Sequence, residues 1–203
     1  MNYAIIAAGE GSRLAQEGVA KPKPLVELCG EPMIGRLINL FTRCNAESIS
    51  VIVNEQMTEV REYLEALKLE VPFQLVVKST PSSMHSFYEL SRVMKPGRFC
   101  LTTVDTIFRE EDFRKYIQAM EADLECDGMM AVTPYIDDEK PLYVQTDGDL
   151  NITASTPYTG NYCLSIWHDG ICQSIDVFGV VTHIFISHTF CTTSVDADLC
   201  TVL

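Results

Sequence analysis

Positive charge is scarce in this sequence, and it stops early. All 15 lysines and arginines lie in residues 1–140, and the net charge is −13. A diffuse negative field repels polyanions, so nucleic acid and acidic membrane surfaces are not expected partners. No apolar run approaches the roughly 18–20 residues that span a bilayer. The opening Met1-Asn2-Tyr3-Ala4-Ile5-Ile6 lacks a basic start and reads as a buried strand rather than an export signal, so a cytoplasmic location is expected. The eight cysteines form no Cys-x-x-Cys pair and, without export, are expected to be reduced structural thiols rather than disulfides. Nothing in the sequence specifies an oligomeric state.

What is present is a globular composition, 47% hydrophobic and 21% charged, with clean alternation over the first two thirds of the chain. Apolar or β-branched runs at 3–7, 48–53, 73–77, 99–103 and 128–133 read as strands buried on both faces. Between them, apolar residues recur at helical spacing over 33–43, 57–67, 84–94 and 110–124. Strand–helix alternation with short links implies right-handed crossovers. The expected fold is α/β: a Rossmann-like, mostly parallel sheet with helices on both faces, with ligands at the carboxyl ends of the strands.

The chemistry-bearing residues cluster after the first strand. In Ala8-Gly9-Glu10-Gly11-Ser12-Arg13-Leu14, the glycines let backbone approach a ligand closely, and successive N–H groups make a concave anion site. Ser12 adds a hydroxyl and Arg13 a permanent cation suited to phosphate oxygens. Lys21-Pro22-Lys23-Pro24-Leu25 follows. Lys23 stands between two prolines, so its backbone is expected to be extended and its ammonium held at a fixed place.

These pieces, with Gly30-Glu31-Pro32-Met33-Ile34, resemble the N-terminal signature of sugar-phosphate nucleotidyltransferases over about residues 1–150. The resemblance implies a Mg²⁺-dependent enzyme that joins an NTP to a sugar 1-phosphate, or similar phosphorylated small molecule, with release of pyrophosphate. A choline-phosphate cytidylyltransferase or a molybdopterin guanylyltransferase shares this chemistry. By the same resemblance Ala8, Gly9, Gly11 and Ser12 wrap the nucleotide, Arg13 grips the NTP phosphates, and Lys23 contacts phosphate at the reacting centre. Phe99-Cys100-Leu101-Thr102-Thr103-Val104-Asp105 matches the apolar strand that ends in a Mg²⁺-binding aspartate. A carboxylate there lies at the ligand edge of a parallel sheet. Ser82 and Ser83 occupy the place of the family's loop beside the base, without its glycines. His85 reads as a helix-start residue. A second metal-binding aspartate has no matching context in Asp147, Asp149 or Asp169. A dinucleotide-dependent oxidoreductase is disfavoured, because the loop is Gly-x-Gly-x-x-Leu and no acidic residue closes the second strand at the usual place.

Residues 151–203 form an atypical tail. Residues 141–203 contain no Lys, Arg or Glu but carry Cys163, Cys172, Cys191 and Cys200 with His168, His183 and His188. The cysteine and histidine spacing fits no common zinc pairing. Either this is an irregular β-rich extension or the chain is truncated or out of frame from about Asn151. The second reading sustains an alternative function, a nucleotide-binding protein whose acceptor part is incomplete and which does not turn over.

Overall fold

The computed structural model describes residues 1–9, 11–124, 128–131, 143–147 and 151–156, with the side chains of 12, 13, 143–146 and 152–156 left aside. The tail beyond 156, with its cysteines, histidines and Asp169, and also Asp149, lie outside the described residues. So do 132 and 133 of the strand expected over 128–133; residues 128–131 are irregular.

Four strands, β1 (Asn2–Ala7), β4 (Ser48–Val53), β5 (Phe73–Val77) and β6 (Phe99–Thr103), form one sheet in the order β5-β4-β1-β6, every pair parallel. β1 and β4 are buried at every residue. β1 sits between two neighbours, and its alternate side chains feed two separate cores. Tyr3, Ile5 and Ala7 point into the larger one, with helices α2 (Met33–Arg43), α3 (Thr58–Ala66) and α5 (Glu110–Ala122). Ala4 and Ile6 point into the smaller one, with Leu90 of α4 (Ser83–Ser91) and, just beyond that helix, Met94. Period-two alternation therefore places helices on both faces, as expected.

The large core is organised around aromatic rings. Tyr3 stacks on Phe41 of α2 with centroids 4.3 Å apart, and Phe113 of α5 lies 5.5 Å from Phe41. The Tyr3 hydroxyl donates to the Cys44 carbonyl at 3.2 Å. Burial, with the neighbouring Cys100 and Cys44 thiols, pushes the Tyr3 phenol well above its usual range, so it stays a donor. Cys44 and Cys100 are free and buried, and burial pushes both thiols up.

Helix boundaries follow local chemistry. α2 spans the expected residues. α4 starts at Ser83 because Ser82 caps it, its hydroxyl accepting from the His85 amide. The acidic first turn of α5, Glu110, Glu111 and Asp112, matches the helix dipole.

Between β1 and α2 the chain forms a short helix α1 (Ser12–Gln16), a 3₁₀ turn (Lys23–Leu25) and a hairpin, β2 (Glu27–Leu28) with β3 (Glu31–Pro32). Cys29 and Gly30 both take positive φ, 54° and 84°, which gives the tight turn the twist that a two-residue hairpin needs. A second hairpin pairs β7 (Tyr143–Thr146) with β8 (Ile152–Thr156). No helix among the described residues is long and apolar enough to cross a membrane.

Phe41 is fully buried, so Phe41→Ala should cost about 3–5 kcal/mol. Tyr3→Phe, which removes only the bond to the Cys44 carbonyl, should cost about 1 kcal/mol. Urea unfolding of both variants checks this; equal effects would mean that the stack does not organise the core.

Candidate active site

The strand order reverses at β1. From β1 the chain moves outward through β4 to β5, then returns over the other face to β6 on the far side of β1. In a parallel α/β sheet, the crevice at the carboxyl ends of two such strands is where ligands bind. The glycine loop leaves β1 at this crevice, and Asp105 follows β6 beside it.

The structure brings three of the expected residues together here. Lys23 Nζ donates to Asp105 Oδ2 at 2.6 Å, across 82 residues of sequence. The Lys23 side chain is 27% exposed and that of Asp105 17%, so the pair is partly shielded yet open at one side. Gly11 has φ +64°, and a Cβ built there would lie 2.9 Å from the Lys23 Cβ. Glycine is therefore needed at 11 on two grounds, a left-handed backbone and close approach to the lysine stem. Gly9 differs: a Cβ there meets nothing within 4 Å, so its freedom answers no local packing constraint.

The expectation of an extended Lys23 is corrected. Lys23 opens a 3₁₀ turn, closed by the Leu25 amide donating to the Pro22 carbonyl at 2.8 Å. A residue before proline is only biased away from helical angles, and Pro24 in a first turn gives up no hydrogen bond. The prolines still fix the lysine, but as part of a turn.

Asp105 is held by more than its lysine. The Val104 amide donates to the Ile6 carbonyl at 3.1 Å, carrying the β1–β6 ladder one residue beyond the strand. The Arg36 guanidinium of α2 donates to the Phe108 carbonyl at 3.1 Å, pinning the loop after Asp105. Thr102 of β6 donates to Thr106 Oγ1 at 3.1 Å, tying that loop back to the strand. Burial pushes the Asp105 carboxyl up, but the hydrogen bond and charge of Lys23, with a hydrogen bond from Thr103, outweigh it and hold the carboxyl below its usual range. Thr106 and Arg36 were not singled out in the sequence, and Thr103 figured there only as part of the strand that leads to Asp105.

The other expected residues are placed less closely. Ala8 is half-buried against the smaller core. Ser12 and Arg13 take the first two positions of α1, their side chains outside the description. Ser82 and Ser83 stand at the start of α4, on the β5 side of the same edge. The Ser82 hydroxyl lies 2.8 Å from His85 Nδ1, so both side chains are engaged in the helix cap. Behind them, Asn54 Oδ1 accepts from the Ser79 hydroxyl at 2.9 Å and the Gln56 amide at 3.0 Å, tying the loops after β4 and β5 together. Asp147 accepts from the Asn151 amide at 2.9 Å and its side chain at 3.0 Å, which gives it a turn role in the second hairpin.

Residues 3–160 match the family model described as a MobA-like NTP transferase domain. A 2-aminoethylphosphonate cytidylyltransferase from Lancefieldella rimae is 31% identical over 113 residues, covering 54% of this chain and 45% of that protein. A glucose-1-phosphate cytidylyltransferase from Salmonella typhimurium is 29% identical over 63 residues, 31% of this chain and 24% of that one. The chain thus aligns with less than half the length of these curated relatives. The structure of an inositol-1-phosphate CTP transferase from T. maritima superposes with a TM-score of 0.69 at 16% identity, covering 92% of this chain and 69% of that chain. That likeness shows a shared fold.

The depressed Asp105 carboxyl sets a pH dependence. A group whose folded pKa lies below its unfolded value, about 3.9 for aspartate, stabilises the fold above that value. The contribution disappears as pH falls through the folded pKa. The stability gap between wild type and Asp105→Asn should therefore be larger at pH 7 than at pH 3. Urea midpoints at both pH values measure it, and a gap that widens on acidification would contradict the pairing.

Proposed function

The chain belongs to the MobA-like NTP transferase domain family, and from this premise we propose that it transfers a nucleotidyl group from an NTP to a phosphorylated or phosphonylated small molecule, with release of pyrophosphate. The observation that carries the reading is the Lys23–Asp105 pair at 2.6 Å, packed on Gly11 at the switch between β1 and β6. A phosphate or phosphonate oxygen of the acceptor attacks the α-phosphorus, and the bond to the β-phosphate oxygen breaks. No protein nucleophile is required. Catalysis of this kind rests on positioning and on neutralising charge.

Each residue then has a task. The backbone of Ala8, Gly9 and Gly11, with Ser12, wraps the nucleotide. Arg13 neutralises the leaving pyrophosphate. Lys23 meets the phosphate at the reacting centre. Ser82 and Ser83 lie on the base side. Asp105 is the candidate Mg²⁺ ligand. An ionised carboxylate oxygen fits a cation that takes one or two carboxylates and completes its shell with phosphate oxygens and water. Mg²⁺ bound there would draw off phosphate charge. CTP is the proposed nucleotide, on the support of relatives named as cytidylyltransferases, and the acceptor is a sugar phosphate or an aminoalkylphosphonate.

A second reading, an NTP-binding protein without turnover, is favoured by one observation: residues 141–203 offer no lysine or arginine to hold an anionic acceptor. NTP binding without pyrophosphate release, over a panel of phosphate and phosphonate acceptors, would decide for it.

On the leading reading, Arg13→Ala should fold normally and lose at least about 10²-fold in turnover. Asp105→Asn should abolish Mg²⁺-dependent NTP binding or turnover. A pyrophosphate-release assay with CTP, UTP and GTP, titrated with Mg²⁺, reads both. Near wild-type rates in folded Arg13→Ala would remove that residue from the site.

A further inference from the structure

The Lys23–Asp105 pair raises a question of order. At 2.6 Å the ammonium hydrogen-bonds Oδ2 of the carboxylate that the proposed function gives to the metal. A divalent ion would have to approach such an oxygen to about 2.0–2.1 Å. An ammonium on one oxygen and a cation on the same carboxyl are like charges at close range in a partly shielded site. The pair is also neutral as a unit, so the carboxylate offers a free cation little net attraction. Among the described residues no group of three His, Cys, Asp or Glu adds further donors.

Lys23 has somewhere else to go. Its stem lies so close to Gly11 that a Cβ at 11 would fall 2.9 Å from the Lys23 Cβ. Phosphates entering the glycine loop therefore arrive beside the lysine. An incoming triphosphate presents far more negative charge than one carboxylate. Asp105, in contrast, is fixed: the ladder bond from the Val104 amide to Ile6 and the Arg36 bond to Phe108 hold its loop in place. The backbone of Lys23 is held in its turn, but its ammonium rides on a flexible four-carbon stem and is the partner free to move.

We propose that Lys23 is a built-in placeholder for the metal, occupying Asp105 until nucleotide phosphates draw it off, so that the divalent ion enters with or after the nucleotide and not before it. This rests on the functional reading above. It assigns Lys23 a duty before chemistry, as a block on premature cation binding, in addition to its contact with the reacting phosphate. Free divalent ion, and with it other hard cations, would then not accumulate at the carboxylate between turnovers.

The test uses Mn²⁺ as the probe, followed by electron paramagnetic resonance of the free ion, on the full chain without nucleotide. Wild type should bind Mn²⁺ weakly. Lys23→Met, which keeps the apolar stem and removes the charge, should bind at least about ten-fold tighter, since a shift of that size needs only about 1.4 kcal/mol. The double variant Lys23→Met with Asp105→Asn should lose the gain. Lys23→Gln provides a second uncharged side chain should Lys23→Met fail to fold, as judged by circular dichroism and thermal melting. Equal Mn²⁺ affinity in wild type and both folded variants overturns the proposal, as does a gain that survives Asp105→Asn or the absence of Mn²⁺ binding in every form. Pyrophosphate release by wild type is read separately. Its absence would count against the functional reading, whereas a failed Mn²⁺ gain beside normal turnover would count against the placeholder alone.

Discussion

The structure depends on the double pairing of β1. This six-residue strand has parallel partners on both edges and apolar cores on both faces, so each of its residues is fixed by hydrogen bonds and packing at once. Its register with β6 sets where Thr103, Val104 and Asp105 stand. Its register with β4 sets where the loops that follow β4 and β5 begin. Because side chains alternate with period two, a slip of one residue would move Tyr3 out of the aromatic stack and into the smaller core. The site is thus a property of strand register before it is a property of any loop.

A second constraint acts at the carboxyl edge. The glycine loop, the prolines around Lys23 and the loop after β6 come from separate parts of the chain, yet each restricts the others. Gly11 leaves room for the lysine stem. The 3₁₀ turn aims the lysine, and the Thr102–Thr106 and Arg36–Phe108 bonds steady the carboxylate.

Much of this was legible in the sequence, for definite physical reasons. Runs such as Ser48–Val53 read as strands because both faces of a central parallel strand are apolar, and Met33–Arg43 read as a helix because its apolar residues recur at three and four. Gly11, Lys23 and Asp105 stood out because phosphate chemistry needs those residue types at a strand end. What stayed hidden was structure of a different scale. The β2–β3 hairpin has two residues per strand, too few for any period, and its turn places Cys29 rather than glycine at positive φ. The turn at Lys23 was misread as extended because the bias before proline was taken as a rule. Thr103 gave no signal, since a threonine at a strand end is ordinary until the neighbouring carboxylate is located. The capping duty of Ser82 was available in principle from a serine placed just before a helical pattern.

Lys23 and Asp105 stand 82 positions apart in sequence, on segments joined only through the assembled sheet. A partly folded form in which β1, β4 and β5 have paired while β6 remains undocked contains the glycine loop and the lysine, but no carboxylate opposite them. Ligands that need both groups select the complete four-strand sheet over every such form. Their binding energy is then added to the stability of β6 docking alone, by mass action. A ligand of that kind would act on this chain as a folding ligand, closing the edge of the sheet whose opening would otherwise expose β1 to pairing with a stranger.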